Sequence, residues 1–263
     1  MANISIVPLG ATIGARVEGI DFSEPPTDAL RDAIRAAIGE HKVLVFKGEP
    51  LPVAVFRAFA RKFGPLQEHV LRKYRHDEFP DLSWLTNVAE DGSFDPFGVV
   101  RASTWHSDGS YTQDPPELGM LHAFEVPSRG GSTIFADMCN AYDTLDADMQ
   151  SRMSGLTGLH RHGAGPGGLM YENALDDDQE EKTNDAVHPT VSVHPSTGRK
   201  MLYLNETHTR KFRELELKDS VALLQKVITH ATRPENIYTH HWSVGDLLIW
   251  DQWSTIHRGA GDF

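Results

Sequence analysis

Thr104-Trp105-His106-Ser107-Asp108-Gly109, read together with Trp250-Asp251-Gln252-Trp253-Ser254-Thr255-Ile256-His257-Arg258, is the part of this chain that decides its fold. On a strand, residues i and i+2 project from one face about 7 Å apart along the backbone, so the imidazole of His106 and the carboxylate of Asp108 can converge on one cation. A third ligand has to come from another strand. His257 follows Asp108 by 257 − 108 = 149 positions, the kind of separation expected when ligands sit on different strands of a closed barrel core. Two neutral nitrogens and one carboxylate on one face of an octahedron leave the opposite face open, which suits non-heme Fe(II) oxygen chemistry. A His-x-Asp triplet alone is as readily a surface loop or a hydrogen-bonded pair, so the reading depends on the rest of the chain.

Working outward from these stretches, the chain alternates short apolar runs with turn residues. Ile4 to Val7, Ala15 to Ile20 and Val43 to Phe46 read as strands, and Thr27 to Glu40 as an amphipathic helix with Leu30, Ile34 and Ile38 on one face. Pro52 to Phe63 is a second helix, ending at Gly64-Pro65. Leu82 to Asn87 is a strand candidate, and Ala89 to Val99 a Gly-, Asp- and Pro-rich loop. Gly119 to Val126 and Ser132 to Phe135 are strands around Gly130-Gly131, followed by one helix that begins at Asn140 to Leu145 and continues through Ser151 to Leu156. Residues 163–187 have no hydrophobic period and are expected to form a mobile insertion or lid. His188 to Val193, Lys200 to Leu204, Tyr238 to Trp242 and Asp246 to Trp250 are strand-like, with a helix over Ser220 to Thr229. Many short strands with helices at the start and in the connections predict a mainly β fold with flanking helices, a cupin-like jelly roll or double-stranded β-helix.

Composition narrows the function. A chain of 263 residues can bury a substantial core as one domain, and a single domain over 1–263 is expected. Lys plus Arg is 25 and Asp plus Glu 37, giving a formal charge of 25 − 37 = −12, which disfavours nucleic acid or an anionic membrane surface as partner. The single cysteine, Cys139, excludes an internal disulfide and suits a reducing compartment. Met1-Ala2-Asn3-Ile4-Ser5 has no basic segment followed by an apolar run, and no stretch approaches a membrane span, so the expected location is cytoplasmic.

Three further stretches follow the first metal motif: Pro127-Ser128-Arg129-Gly130-Gly131-Ser132-Thr133-Ile134-Phe135-Ala136-Asp137, then Val193-His194-Pro195-Ser196-Thr197-Gly198-Arg199-Lys200, then Gly245-Asp246-Leu247-Leu248-Ile249-Trp250-Asp251. In order and spacing the whole set resembles the taurine dioxygenase family of Fe(II)- and 2-oxoglutarate-dependent enzymes, which includes herbicide-degrading phenoxyalkanoate dioxygenases. The resemblance implies the same jelly-roll fold, Fe(II) held by His106, Asp108 and His257, 2-oxoglutarate as cosubstrate and O2 as oxidant. It also implies hydroxylation of a C–H bond in a small anionic substrate, with release of succinate and CO2. Thr133 matches the family threonine that hydrogen-bonds the distal carboxylate of 2-oxoglutarate. His69 matches a substrate-facing histidine, Tyr203 an aromatic of the substrate pocket, and Tyr74 is a further substrate candidate whose offset from His69 differs from the family's. A homodimer or homotetramer is what the family suggests.

Two departures qualify the resemblance. The family anchors 2-oxoglutarate with an arginine ten or more residues beyond the distal histidine, whereas the sequence ends 263 − 257 = 6 positions after His257; the expectation is a further C-terminal segment carrying it. Arg258, the immediate neighbour of His257 on a strand, should point to the opposite face. The other departure is Ala102, where taurine dioxygenase has an asparagine that holds substrate, which turns the expectation from taurine toward another alkyl sulfonate, a phenoxyalkanoate or a different small metabolite. A noncatalytic metal-binding jelly-roll module and a zinc-dependent hydrolase are the competing readings. Among the other histidines, His188 and His194 read as turn residues, His240 and His241 point to opposite faces, and His160 and His162 read as pocket-edge or structural.

Overall fold

Val43-Leu44-Val45-Phe46 has all four side chains buried because its two faces meet two different cores. Val43 and Val45 join Ile13, Phe135, Leu248 and Trp250 on one side. Leu44 and Phe46 pack on the other against Ile34, Ile38 and Phe59. That period-two division puts this strand in the middle of a layered molecule.

The computed structural model describes residues 4–10, 12–89, 91–100, 102–167 and 185–261. In chain order the strands are β1 (Ser5–Pro8), β2 (Ala15–Glu18), β3 (Val43–Phe46), β4 (Leu118–His122), β5 (Thr133–Asp137), β6 (Thr157–His160), β7 (Ala186–Pro189), β8 (Val191–Val193), β9 (Lys200–Leu202), β10 (Thr209–Phe212), β11 (Ile237–His240), β12 (Leu247–Asp251) and β13 (Thr255–Gly259). The helices are α1 (Asp28–His41), α2 (Val53–Arg61), α3 (Pro96–Val100), α4 (Met138–Asp143), α5 (Ala147–Ser154) and α6 (Leu217–Ala231).

A five-stranded sheet runs in the order β1-β2-β3-β12-β4, antiparallel except for the β2–β3 pair. It faces an antiparallel sheet β11-β5-β13, and the contact between them is built from Val43, Val45, Leu248 and Trp250 on one side and Phe135 on the other. Helices α1 and α2 cover the outer face of the first sheet, and α4, α5 and α6 cover the outer face of the second. The sheets β10-β6-β7 and β8-β9 are separate, and Phe212 of β10 and Leu202 of β9 join the same core as α4, α5 and α6.

Local chemistry explains most element boundaries. The Thr27 hydroxyl accepts from Leu30 N to cap α1, which ends at Lys42 in a left-handed conformation. The continuous helix expected across residues 140–156 is two helices, because the Asp146 carboxylate accepts from Met149 N and starts α5 afresh. Leu82 to Asn87 is not a strand: Ser83 makes a single bridge to Arg75, and Leu85 is exposed. The Gly- and Pro-rich loop before the metal motif contains α3. Strands β6 and β10 were not expected, since Thr157-Gly158-Leu159-His160 and Thr209-Arg210-Lys211-Phe212 carry no apolar run. Most of the insertion expected over 163–187 lies outside the described residues, and its last two positions include the start of β7. Among the described residues no helix is long and apolar enough to cross a membrane.

Candidate metal centre

Strand β13 presents alternate residues to alternate layers. Ile256 faces the helical core, while His257 turns inward between the sheets, its ring stacked on Phe135 at 5.6 Å and edge-on to Trp250 at 5.0 Å. Arg258 turns outward again, its guanidinium 5.2 Å above the Trp105 ring, as neighbouring strand residues must. His106 and Asp108 are not on a regular strand. His106 forms a one-residue antiparallel bridge with His257, exchanging two backbone hydrogen bonds of 3.0 and 2.8 Å, and Asp108 begins the turn that follows. Direct opposition across this bridge brings the two imidazole centroids to 4.2 Å. The turn needs Gly109, at φ 70°, where a Cβ would sit 2.4 Å from Pro116.

One donor atom from each of His106, Asp108 and His257 lies within 4.8 Å of the others, the spacing at which the three could hold a metal ion. The His106 Nδ1–H donates to the carbonyl of Thr104 at 2.8 Å, which leaves the Nε2 lone pair for a ligand bond. The Nε2 atoms of His106 and His257 lie 3.7 and 3.6 Å from the two oxygens of Asp108. Side-chain exposure is 7% and 10% for the histidines but 48% for Asp108, so the open side of the cluster is at the carboxylate. The protein crowded around Asp108 opposes its ionisation, but the flanking imidazoles of His257 and His106 and the amide of Gln252 outweigh that and hold the carboxyl well below its usual range. Burial pushes His257 down to about 3, so it stays neutral and ligand-competent.

The remaining sequence candidates are distributed unevenly. Thr133 on β5 pairs with Gly259, two positions along from the Phe135–His257 pair and on the same face, and its hydroxyl accepts from Trp242 Nε1 at 2.9 Å. His69 lies close enough for its charge to act on Asp108. Tyr203 is buried against His160 and His188, with ring centroids at 5.8 and 5.1 Å. The Tyr74 hydroxyl donates to Asp95 and its ring stacks on Phe97. His194 accepts from Ser196 N and Thr197 N in its turn, and His240 and His241 face Asp246 and Ser132 respectively.

Four further residues neighbour the cluster, and of these sequence reasoning named only His162, as pocket-edge or structural. His208 is edge-on to His106 at 6.4 Å, Tyr111 is edge-on to His208 at 4.8 Å, and His162 stacks on His208 at 5.5 Å. Burial lowers His162 to about 4 and drives His208 further down, helped by the neighbouring imidazoles, so both are neutral hydrogen-bonding groups. Gly163 N donates to His208 Nδ1 at 3.0 Å, which puts the ring proton on Nε2. The fourth is Gln252, hydrogen-bonded to Asp108 through both its backbone N–H and its carboxylate. The only sequence signal for Gln252 was its place in the second ligand-bearing stretch, five positions before His257.

Residues 5–263 match the family described as Taurine catabolism dioxygenase TauD, TfdA family. The chain is 33% identical over 261 residues to the alpha-ketoglutarate-dependent 2,4-dichlorophenoxyacetate dioxygenase of Cupriavidus pinatubonensis, covering 96% of this chain and 90% of that one. It is 30% identical over 271 residues to the pentalenolactone F synthase of Streptomyces arenae, covering 97% and 89%. Among solved structures, AAD-2 in complex with Mn(II) and N-oxalylglycine superposes with a TM-score of 0.84 at 29% identity, over 97% of this chain and 90% of that one.

Proposed function

The chain belongs to the TauD, TfdA family and is an alpha-ketoglutarate-dependent dioxygenase by kinship, and we propose on that premise that it hydroxylates a C–H bond of a small organic anion of phenoxyalkanoate or alkyl sulfonate type at an Fe(II) held by His106, Asp108 and His257. Alpha-ketoglutarate is the 2-oxoglutarate of the sequence expectation. The observation that carries the reading is the clustered donor set itself: two imidazole nitrogens and a carboxylate oxygen within 4.8 Å, buried on the histidine side and open on the other. This donor set fits an octahedral ion that keeps exchangeable positions. When bound, the iron, with 2-oxoglutarate and O2, supplies the oxidising power that turns a C–H bond into C–OH while 2-oxoglutarate leaves as succinate and CO2.

The chain's own residues would bind and orient. Thr133 accepts the indole N–H of Trp242, so its hydroxyl hydrogen is free to point at the distal carboxylate of 2-oxoglutarate. His69, Tyr111, His162 and His208 stand around the cluster and would line the pocket for an anionic substrate. Burial keeps the His162 and His208 imidazoles neutral, so they would present no fixed charge to the substrate. Tyr203 and Tyr74 would contribute aromatic surface to the substrate pocket. Phe135 and Trp250 pack against His257 and keep water from its buried face. The facing sheets support a double-stranded β-helix closed around this centre in a single domain. A noncatalytic metal-binding module would have no use for the open face.

The test is an anaerobic Fe(II) titration with and without 2-oxoglutarate, following the visible charge-transfer band of a chelated 2-oxoacid. The band should require both additions, and a substrate screen by succinate release would follow. Fe(II) binding without any band on adding 2-oxoglutarate would overturn the dioxygenase reading.

A further inference from the structure

Gln252 lies in the turn between β12 and β13 and is 2% exposed. Its Nε2 donates to Asp108 Oδ2 at 2.8 Å, and its Oε1 accepts from Asp108 N at 3.2 Å. These partners fix the amide orientation, because a backbone N–H can only donate and an ionised carboxylate can only accept. Ser107, the residue between the two first ligands, donates its hydroxyl to the Gln252 carbonyl, and Gln252 N donates to Glu117 O at 2.9 Å. The side chain has one place to lie. A Cβ on Gly119 of β4 would come within 2.7 Å of Gln252 Nε2 and 2.3 Å of Trp250, so the missing side chain there is the space that admits the amide.

We propose that Gln252 is a positioning residue that keeps Asp108 a one-oxygen ligand; the inference rests on the metal reading above. An octahedral ion bound by two histidines and one carboxylate oxygen has three positions left, which a bidentate oxoacid and O2 together require. A carboxylate chelating through both oxygens would leave only two. The amide hydrogen bond takes one lone pair of Oδ2 and orients the carboxylate, which disfavours Oδ2 as a second ligand, and the reciprocal bond to Asp108 N holds the backbone beneath it. Partners of this kind, one step behind a ligand, commonly govern metal affinity by about tenfold or more.

The test uses Mn(II) as probe on the full chain freed of metal, with binding and water-proton relaxation measured together. Gln252→Leu keeps the bulk and loses the donor, so Asp108 should swing to chelate, displacing one of the three metal-bound waters and lowering the relaxation enhancement per bound ion by about a third. Gln252→Glu keeps the length and the acceptor for Asp108 N but sets a second carboxylate against Oδ2, and Mn(II) affinity should fall by about tenfold or more. Unchanged relaxation in a folded Leu variant, or unchanged affinity in the Glu variant, overturns the positioning role. If the wild-type chain itself fails to bind Mn(II), the metal reading falls; if it binds and the variants match it, only the role of Gln252 falls.

Discussion

Thr133 puts a single hydroxyl at stake. Its oxygen is already the acceptor for Trp242 Nε1, and β5 sets it on the face that carries Phe135 beside His257. Thr133→Val preserves the β-branch that the strand favours and removes the hydroxyl, both as donor and as acceptor for Trp242 Nε1. A hydrogen bond to a charged group contributes roughly 1.5–3 kcal/mol, so 2-oxoglutarate should bind about tenfold or more weakly, at a rate of tenfold per ~1.4 kcal/mol. Fe(II) affinity should not change. Equal 2-oxoglutarate affinity in the variant would move its distal carboxylate elsewhere. At this scale the clustering of His106, Asp108 and His257 was legible because two of them are sequence neighbours and the third sits in a stretch that resembles a known family. Gln252 was not, since it reaches Asp108 across 252 − 108 = 144 positions and only the β12–β13 turn makes them neighbours. His208 and Tyr111 were silent for the same reason: an aromatic contact has no spacing rule across distant loops. Tyr74 shows the converse, a candidate by local position whose hydroxyl is taken by Asp95.

The β12–β13 connection, which passes from one sheet to the other, leads Gln252 into His257, and Asp251 ties its turn. The Asp251 carboxylate accepts from Trp253 N and Ser254 N at 2.8 and 3.0 Å and from His194 Nε2, while its carbonyl accepts from the Thr255 hydroxyl. It is 2% exposed. Asp251→Ala leaves buried N–H groups without an acceptor and His194 without its partner, and should cost about 3–5 kcal/mol. Thr27→Ala, which removes the exposed cap of α1, should cost about 1 kcal/mol. Denaturant midpoints of the two variants, read at constant m, test the ordering; comparable losses would show that the turn is not held by its buried carboxylate. Elements were legible where a helix has one apolar face and a cap marks its end, as in α1, or where a short run is apolar throughout, as in β3 and β12. They were illegible where burial comes from neighbours rather than pattern: β6 and β10 are short, polar and held by their pairing with each other, and Leu82 to Asn87 has strand-forming residues but no strand to pair with beyond one bridge.

The molecule as a whole is acidic, with a formal charge of −12, yet it buries several histidines among its layers. Burial lowers His160 to about 3, and burial outweighs the Asp246 carboxylate to lower His240 to about 4, both from an ordinary value of 6.5. Neither is a metal ligand candidate. Between pH 6.5 and about 4 the unfolded chain binds protons at these two sites that the folded chain refuses, so stability falls as pH drops through that window and is unaffected above it. Each such proton contributes about 1.4 kcal/mol per pH unit, so the pair costs about 3 kcal/mol per unit below pH 6. That is a large share of a typical total of about 5–15 kcal/mol. Relief of acidic self-repulsion works in the opposite direction, but ordinary carboxylates titrate near pH 4, so it takes effect lower than the histidine window. The histidine effect therefore wins between pH 6.5 and 5, and the urea midpoint of the metal-free protein should drop steeply across that interval. In the double variant His160→Gln with His240→Gln the drop should be markedly shallower; a flat wild-type profile would mean that these imidazoles accept protons in place, and that the layers around them are wetter than the packing of β6 and β11 allows.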